Sequence, residues 1–226
     1  MLRVAADLLD LIRAETAFDN LSAYFNETLP RSYSGRRFEA LAGGGDRPTT
    51  RDMITADDLV AVRMLSVTVP AEASIGLLEG ELGEQISGLL AQIPTDVELG
   101  TDRAMDLVAD GQAADRAWRL LDEQPGIDFV IAGKVIARKR PHLIPVYDQV
   151  IRCLYGKPDK VWLRLHRRLA TDCGVLRDEL ALLRARTGFP PTVSLLRVLD
   201  IVLWMHHRRP HLRTGSCPGF DSVALH

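Results

Sequence analysis

Residues 118–156 read WRLLDEQPGIDFVIAGKVIARKRPHLIPVYDQVIRCLYG, and their order decides how the chain folds. Leu120 and Leu121 close one helix. Gln124-Pro125-Gly126 then makes a tight turn, because proline and glycine punctuate helices. A second helix begins at once, with Ile131, Ala132, Val135 and Ile136 apolar along it. Pro141 and Pro145 bound a loop, and Asp148 stands where an acceptor side chain would open a third helix.

The flanking sequence is helical in the same way. Residues 3–26 place Val4, Leu8, Leu11, Ile12, Phe18, Leu21 and Phe25 at near-helical spacing, and Pro30 follows. Residues 31–54, with Gly43–Gly45 and Pro48, read as a glycine-rich loop. It lacks the strand and the GxxxxGK[ST] spacing of a phosphate-binding loop. Thr55 and Asp58 make a capping box for the next helix. Helices are then expected over 71–91, 101–123, 158–170, 175–186 and 192–207. Gly76, Gly80 and Gly83 in the first of these would allow a close helix crossing. The last is the most apolar and belongs to the core. Residues 210–226 read as a loose tail. No alternation of strands and helices appears, so the class is all-α, with about eight helices in a single domain spanning 1–226.

The 226 residues are 46% hydrophobic and 26% charged, with net charge -2, so the chain as a whole is no general polyanion binder. The charge is unevenly spread. Residues 72–123 hold twelve acids against three arginines, whereas ten Lys and Arg face two Asp over 134–168. Three cysteines without metal-finger spacing fit a reducing compartment, and no apolar run is long enough for a membrane span. The expectation is a cytoplasmic protein that needs no cofactor and holds no metal. His206, His207 and His211 are broken up by Pro210 and lack an adjacent carboxylate.

The Pro-Gly turn presents backbone N–H groups at the start of the second helix, and these suit a phosphate. Gln124 and Gly126 lie in that turn. Arg138, Lys139, Arg140 and Arg152 would add phosphate contacts, making duplex DNA the expected partner of the basic face 134–168. Pro125, Gly126, Ile127 and Ala132, with Asp148 downstream in Pro145-Val-Tyr-Asp-Gln-Val150, resemble the core motif of the helix-hairpin-helix DNA glycosylases over about 40 residues. The pattern from Arg138 to Asp148 also resembles uncharacterised actinobacterial proteins.

The glycosylase resemblance implies that Asp148 is the catalytic carboxylate, stabilising a cationic transition state or activating water. Two positions depart from the family. Asp128 replaces the second hairpin glycine, and Val130 stands where backbone-cleaving members have a catalytic lysine; Lys134, one turn further on the same face, could take that catalytic role only in a rebuilt site. The iron–sulfur cysteines are absent. These departures point to a monofunctional or catalytically degenerate relative. Two competing readings use the same residues. In one, Asp148 is only an N-cap, the turn is architectural, and the chain is a non-enzymatic helical interaction protein of unknown partner. In the other, Arg36 and Arg37 in the glycine-rich loop line a ligand cleft together with Asp148.

Overall fold

The structure, a computed structural model, describes residues 4–28, 32–155, 161–190 and 192–213. Among them it contains twelve α-helices, three short 3-10 turns and no strand, so the all-α class holds. The helices are α1 (Val4–Arg13), α2 (Glu15–Phe25), α3 (Ala56–Arg63), α4 (Ala71–Glu79), α5 (Glu81–Leu90), α6 (Asp102–Val108), α7 (Ala113–Asp122), α8 (Phe129–Lys139), α9 (Gln149–Tyr155), α10 (Val161–Ala170), α11 (Val175–Arg186) and α12 (Leu195–Arg213).

Most of the excess over the expected eight comes from three long helices that are each broken in two. Residues 3–26 break at Ala14, whose ψ of 143° is extended. Residues 71–91 break at Gly80, with φ -115° and ψ 178°. Residues 101–123 break between Val108 and Ala113, where Gly111 takes a positive φ of 76°. At Ala14 and Gly80 apolar residues flank the break at near-helical spacing, so periodicity alone reads straight across it. The expected loose tail is also corrected in part, since α12 runs through Pro210 to Arg213. Residues 214–226 and the start of the helix expected from Pro158 lie outside the described residues.

The chain divides into two compact units, Met1–Tyr33 with Tyr147–His226, and Ser34–Val146. The first is built on α12, which packs against α2, α9 and α11. Leu196, Val198, Leu199, Ile201, Val202 and Leu203 are all buried, as expected of the helix with the longest apolar run. Two charges enter this core together. Arg197 pairs with Asp200 one turn away and donates to the Tyr24 hydroxyl at 2.8 Å.

The second unit is organised on α8, which packs against α3 and α7, while α5 packs against α4 and α7. Every residue from Ala132 to Arg140 is buried. Gly83 closes the break at Gly80: a Cβ there would stand 2.2 Å from the Leu77 carbonyl oxygen, so the tight contact joins the two halves of the expected 71–91 helix and is not the crossing by a separate helix that the glycines suggest.

Candidate functional site

The turn between α7 and α8 forms where the sequence places it. Gly126 adopts φ 77°, a left-handed conformation that costs glycine least, and its Cα faces the Pro70 ring, which a Cβ would meet at 2.9 Å. Gln124 turns back on its own helix and donates from Nε2 to the Leu120 carbonyl at 2.9 Å. The Trp118 indole N–H donates to the Phe129 carbonyl at 3.3 Å, tying α7 to the start of α8.

The amides that would receive a phosphate already have an acceptor. Asp128 Oδ1 takes hydrogen bonds from the N–H groups of Val130 and Ile131, at 3.0 and 2.9 Å. Asp128 therefore places a carboxylate at the positive end of α8. Asp148 does the same for α9. Its Oδ1 accepts from Val150 N–H at 2.9 Å and Ile151 N–H at 3.1 Å. Replacing either aspartate by alanine is expected to cost about 1 kcal/mol, the usual value of a lost N-cap, read as a lower urea midpoint with an unchanged slope.

Asp148 sits half-buried beside Tyr147 and is followed on α9 by Arg152, which is buried. Desolvation pushes the Tyr147 hydroxyl up to about 12; nearby Arg152 opposes the shift and Asp148 adds to it. At neutral pH this tyrosine is a protonated hydrogen-bonding group. Asp148 belongs to the unit of residues 147–226, and the Pro-Gly turn with Lys134 belongs to the unit of residues 34–146.

The largest departure from expectation concerns Arg138, Lys139 and Arg140. Read as a solvent-facing cationic patch, they are 2%, 0% and 1% exposed. Each is committed to partners within its own unit. Arg138 donates from Nε to Asp58 Oδ1 at 3.0 Å, and from its terminal nitrogens to the carbonyls of Phe38, Glu39 (2.7 Å) and Leu41 (2.7 Å). Lys139 Nζ reaches Asp58 Oδ2 at 2.9 Å and the Thr50 carbonyl at 2.8 Å. Arg140 spans the Ile93 carbonyl (2.6 Å), the Arg51 carbonyl (2.7 Å), Asp52 Oδ1 (2.6 Å) and the Leu90 carbonyl. Burial of these charges is tolerated because each is hydrogen-bonded and paired. Desolvation still lowers the Lys139 ammonium below its ordinary value, against the pull of Asp58, and lowers Arg140 against Asp52.

The three cations thus clasp the glycine-rich loop. Carbonyls that a loop ordinarily leaves to water are turned inward onto guanidinium groups. Gly45 makes the approach possible: a Cβ there would lie 2.2 Å from the Arg138 carbonyl oxygen. Arg47 braces the loop further, donating to the Ala42 carbonyl and to Thr50 Oγ1. Asp58 has two tasks, since its Oδ2 also accepts from the Thr55 N–H at 3.0 Å to close the capping box of α3. Arg36 is half-exposed and Arg37 exposed, in a 3-10 turn at Ser34–Arg37 beside the buried Phe38.

Lys134 is buried too, and its Nζ donates to the Leu65 carbonyl at 2.9 Å, just past the end of α3. Of the basic residues over 134–168 whose side chains are described, Arg164 and Arg167 of α10 are exposed and Arg168 is half-exposed. Lys157 and Lys160 lie outside the described residues.

An aromatic group in the first unit had no signal in the sequence beyond its composition. The Tyr24 and Tyr33 rings stack in parallel at 5.1 Å, and Trp204 stands edge-on to both. The Arg208 guanidinium lies over Tyr33 at 4.8 Å and over Trp204 at 5.1 Å, a cation–π arrangement that fastens α12 to the end of this segment. Among the described residues, no group of three or more His, Cys, Asp or Glu side chains is placed to hold a metal ion, and no helix is long and apolar enough to cross a membrane.

No curated protein and no solved structure matches this chain. Residues 17–207, which include both the clasp and the Asp148 cap, match a family of unknown function, DUF6308, and the chain belongs to that family.

Proposed function

We propose that this chain is a non-enzymatic helical interaction protein in which the Pro-Gly turn and the Arg138-Lys139-Arg140 cluster are architectural. The observation that carries this reading is the clasp. The cations best placed in sequence to hold a duplex hold residues 38–52 and Asp58 instead. The two aspartates of the resemblance support the same reading, since both cap helices. The acidic segment 72–123 does not neutralise the cluster by its side chains; Asp52 and Asp58 do.

A second reading rests on α10, where Arg164 and Arg167 are exposed at helical spacing in the unit that holds Tyr147–His226. There a polyanion would bind without base chemistry. One experiment addresses both readings and the glycosylase resemblance. Duplexes carrying a panel of damaged bases are incubated with the chain, and fluorescence anisotropy with intact and abasic duplex is recorded over a salt series. The expected result is no base release and no affinity that falls steeply with salt. Base release abolished by Asp148→Asn would overturn the interaction reading. Salt-steep binding lost in Arg164→Ala/Arg167→Ala would replace it with the polyanion reading.

A further inference from the structure

We infer that the exposed side of α4 is a docking surface for a cationic amphipathic helix of another protein, an inference that rests on the interaction reading above. The α4 helix turns Ala73 and Leu77 inward and packs against α5. Its other side leaves Ile75 55% and Leu78 42% exposed, three residues apart and so adjacent on one face. Isolated apolar residues on a surface need no explanation, but a paired ridge with a charged rim does.

The rim has one sign. Glu72 and Glu79, three residues before and four after Ile75, are exposed on α4, and Glu81 and Glu84 are exposed in the first turn of α5. From residue 64 to residue 102 there is no Lys, Arg or His at all, while seven Asp and Glu are present. Glu72, Glu79 and Glu84 make no ion pair among the described residues, and Glu81 only accepts from the Gln85 amide at 2.8 Å. The clasp sharpens this imbalance. Residues 34–146 hold 18 Asp and Glu against 12 Lys and Arg; setting aside the buried Asp58, Lys134, Arg138, Lys139 and Arg140 leaves 17 acids against 8 bases nearer the surface. Burial of its cations therefore makes this unit more acidic to a partner than its sequence suggests.

An apolar ridge flanked by carboxylates that pair with no base among the described residues favours one kind of occupant. Nucleic acid and anionic lipid are repelled. A partner helix with Leu-like residues at helical spacing and Lys or Arg on its flanks meets both features at once, the apolar pair supplying affinity and the rim supplying steering and register.

The test uses the full chain and a fluorescein-labelled peptide of leucine and lysine patterned as an amphipathic helix. A second peptide has the same composition in scrambled order. Anisotropy titrations are expected to show that the patterned peptide binds about tenfold tighter or better than the scrambled one, and that Ile75→Ser/Leu78→Ser weakens it by about the same factor. Glu72→Gln/Glu79→Gln is expected to flatten the salt dependence. All four side chains are exposed, so circular dichroism should be unchanged. Three results would overturn the inference: equal binding of both peptides, full binding by the apolar double variant, or no binding. A concentration-dependent mass in sedimentation that the double variant abolishes would also overturn it, by assigning the ridge to a second copy of the chain. Because base release and duplex binding are read separately, failure here with those still negative removes this surface and leaves the interaction reading in place.

Discussion

Replacing Asp58 by alanine should lower the unfolding free energy by about 3–5 kcal/mol, the cost of leaving buried cations without their counter-charge. Asp58 is 2% exposed and is the one carboxylate bound to both Arg138 and Lys139. Its loss also removes the capping box of α3. A domain of this kind is stable by only about 5–15 kcal/mol, so the variant would stand close to its unfolding limit. Urea unfolding followed by circular dichroism reads the loss as a shifted midpoint. A change below about 1 kcal/mol would mean that water reaches the pair and that the clasp is weak.

The same cluster has a pH signature with a definite sign. Lys139 ionises below its ordinary 10.5 in the folded state. Between that lowered value and 10.5 the unfolded chain binds more protons than the folded one, so stability rises with pH across this window. The Lys139 contribution to that rise should be absent in Lys139→Met.

Gly45→Ala should destabilise by about 3 kcal/mol, at the upper end of overpacking costs, because the atoms it meets cannot retreat. The new methyl would lie 2.2 Å from the Arg138 carbonyl oxygen and 2.9 Å from its carbonyl carbon. That carbonyl belongs to the last turn of α8, whose end is fixed by the Arg140 N–H to Ile136 carbonyl hydrogen bond. Gly88→Ala is the matched control. Gly88 lies within α5 with nothing within 4 Å of the site of a new Cβ, so it should gain about 0.5–1 kcal/mol from helical propensity. Thermal melts of the two variants should therefore move in opposite directions. Parallel movement would refute the close approach at Gly45.

Local signals in the sequence were sufficient for several elements. Thr55 and Asp58 form the capping box that their spacing implies, Pro125-Gly126 turns the chain, Asp148 caps a helix, and the apolar run from Val193 lies in a core. Each depends on residues a few positions apart. The breaks at Ala14 and Gly80 escaped because apolar spacing can persist while the backbone turns, whereas the one at Gly111 carried a local signal in Asp110-Gly111. The burial of Arg138, Lys139 and Arg140 escaped for a different reason. Charged side chains are exposed by default, and the partners that reverse the default lie about 50 to 100 residues away. Most of them are main-chain carbonyls, which carry no residue-specific signal. The candidate site changed character accordingly: positions readable as phosphate contacts became the internal ligature of a loop.

The ligature joins the first part of the 34–146 unit to nearly its last residues. During synthesis, residues 38–58 emerge long before Arg138, and their inward-turned carbonyls have no cation to meet until the end of α8 has left the ribosome. The loop must wait in water for most of the unit to be made. Closure then engages Arg138, Lys139 and Arg140 within three successive residues, so the last helical turn commits the first segment in one step. Long-range contacts of this sort are slow to form. A chain interrupted before residue 138 would lack the lock.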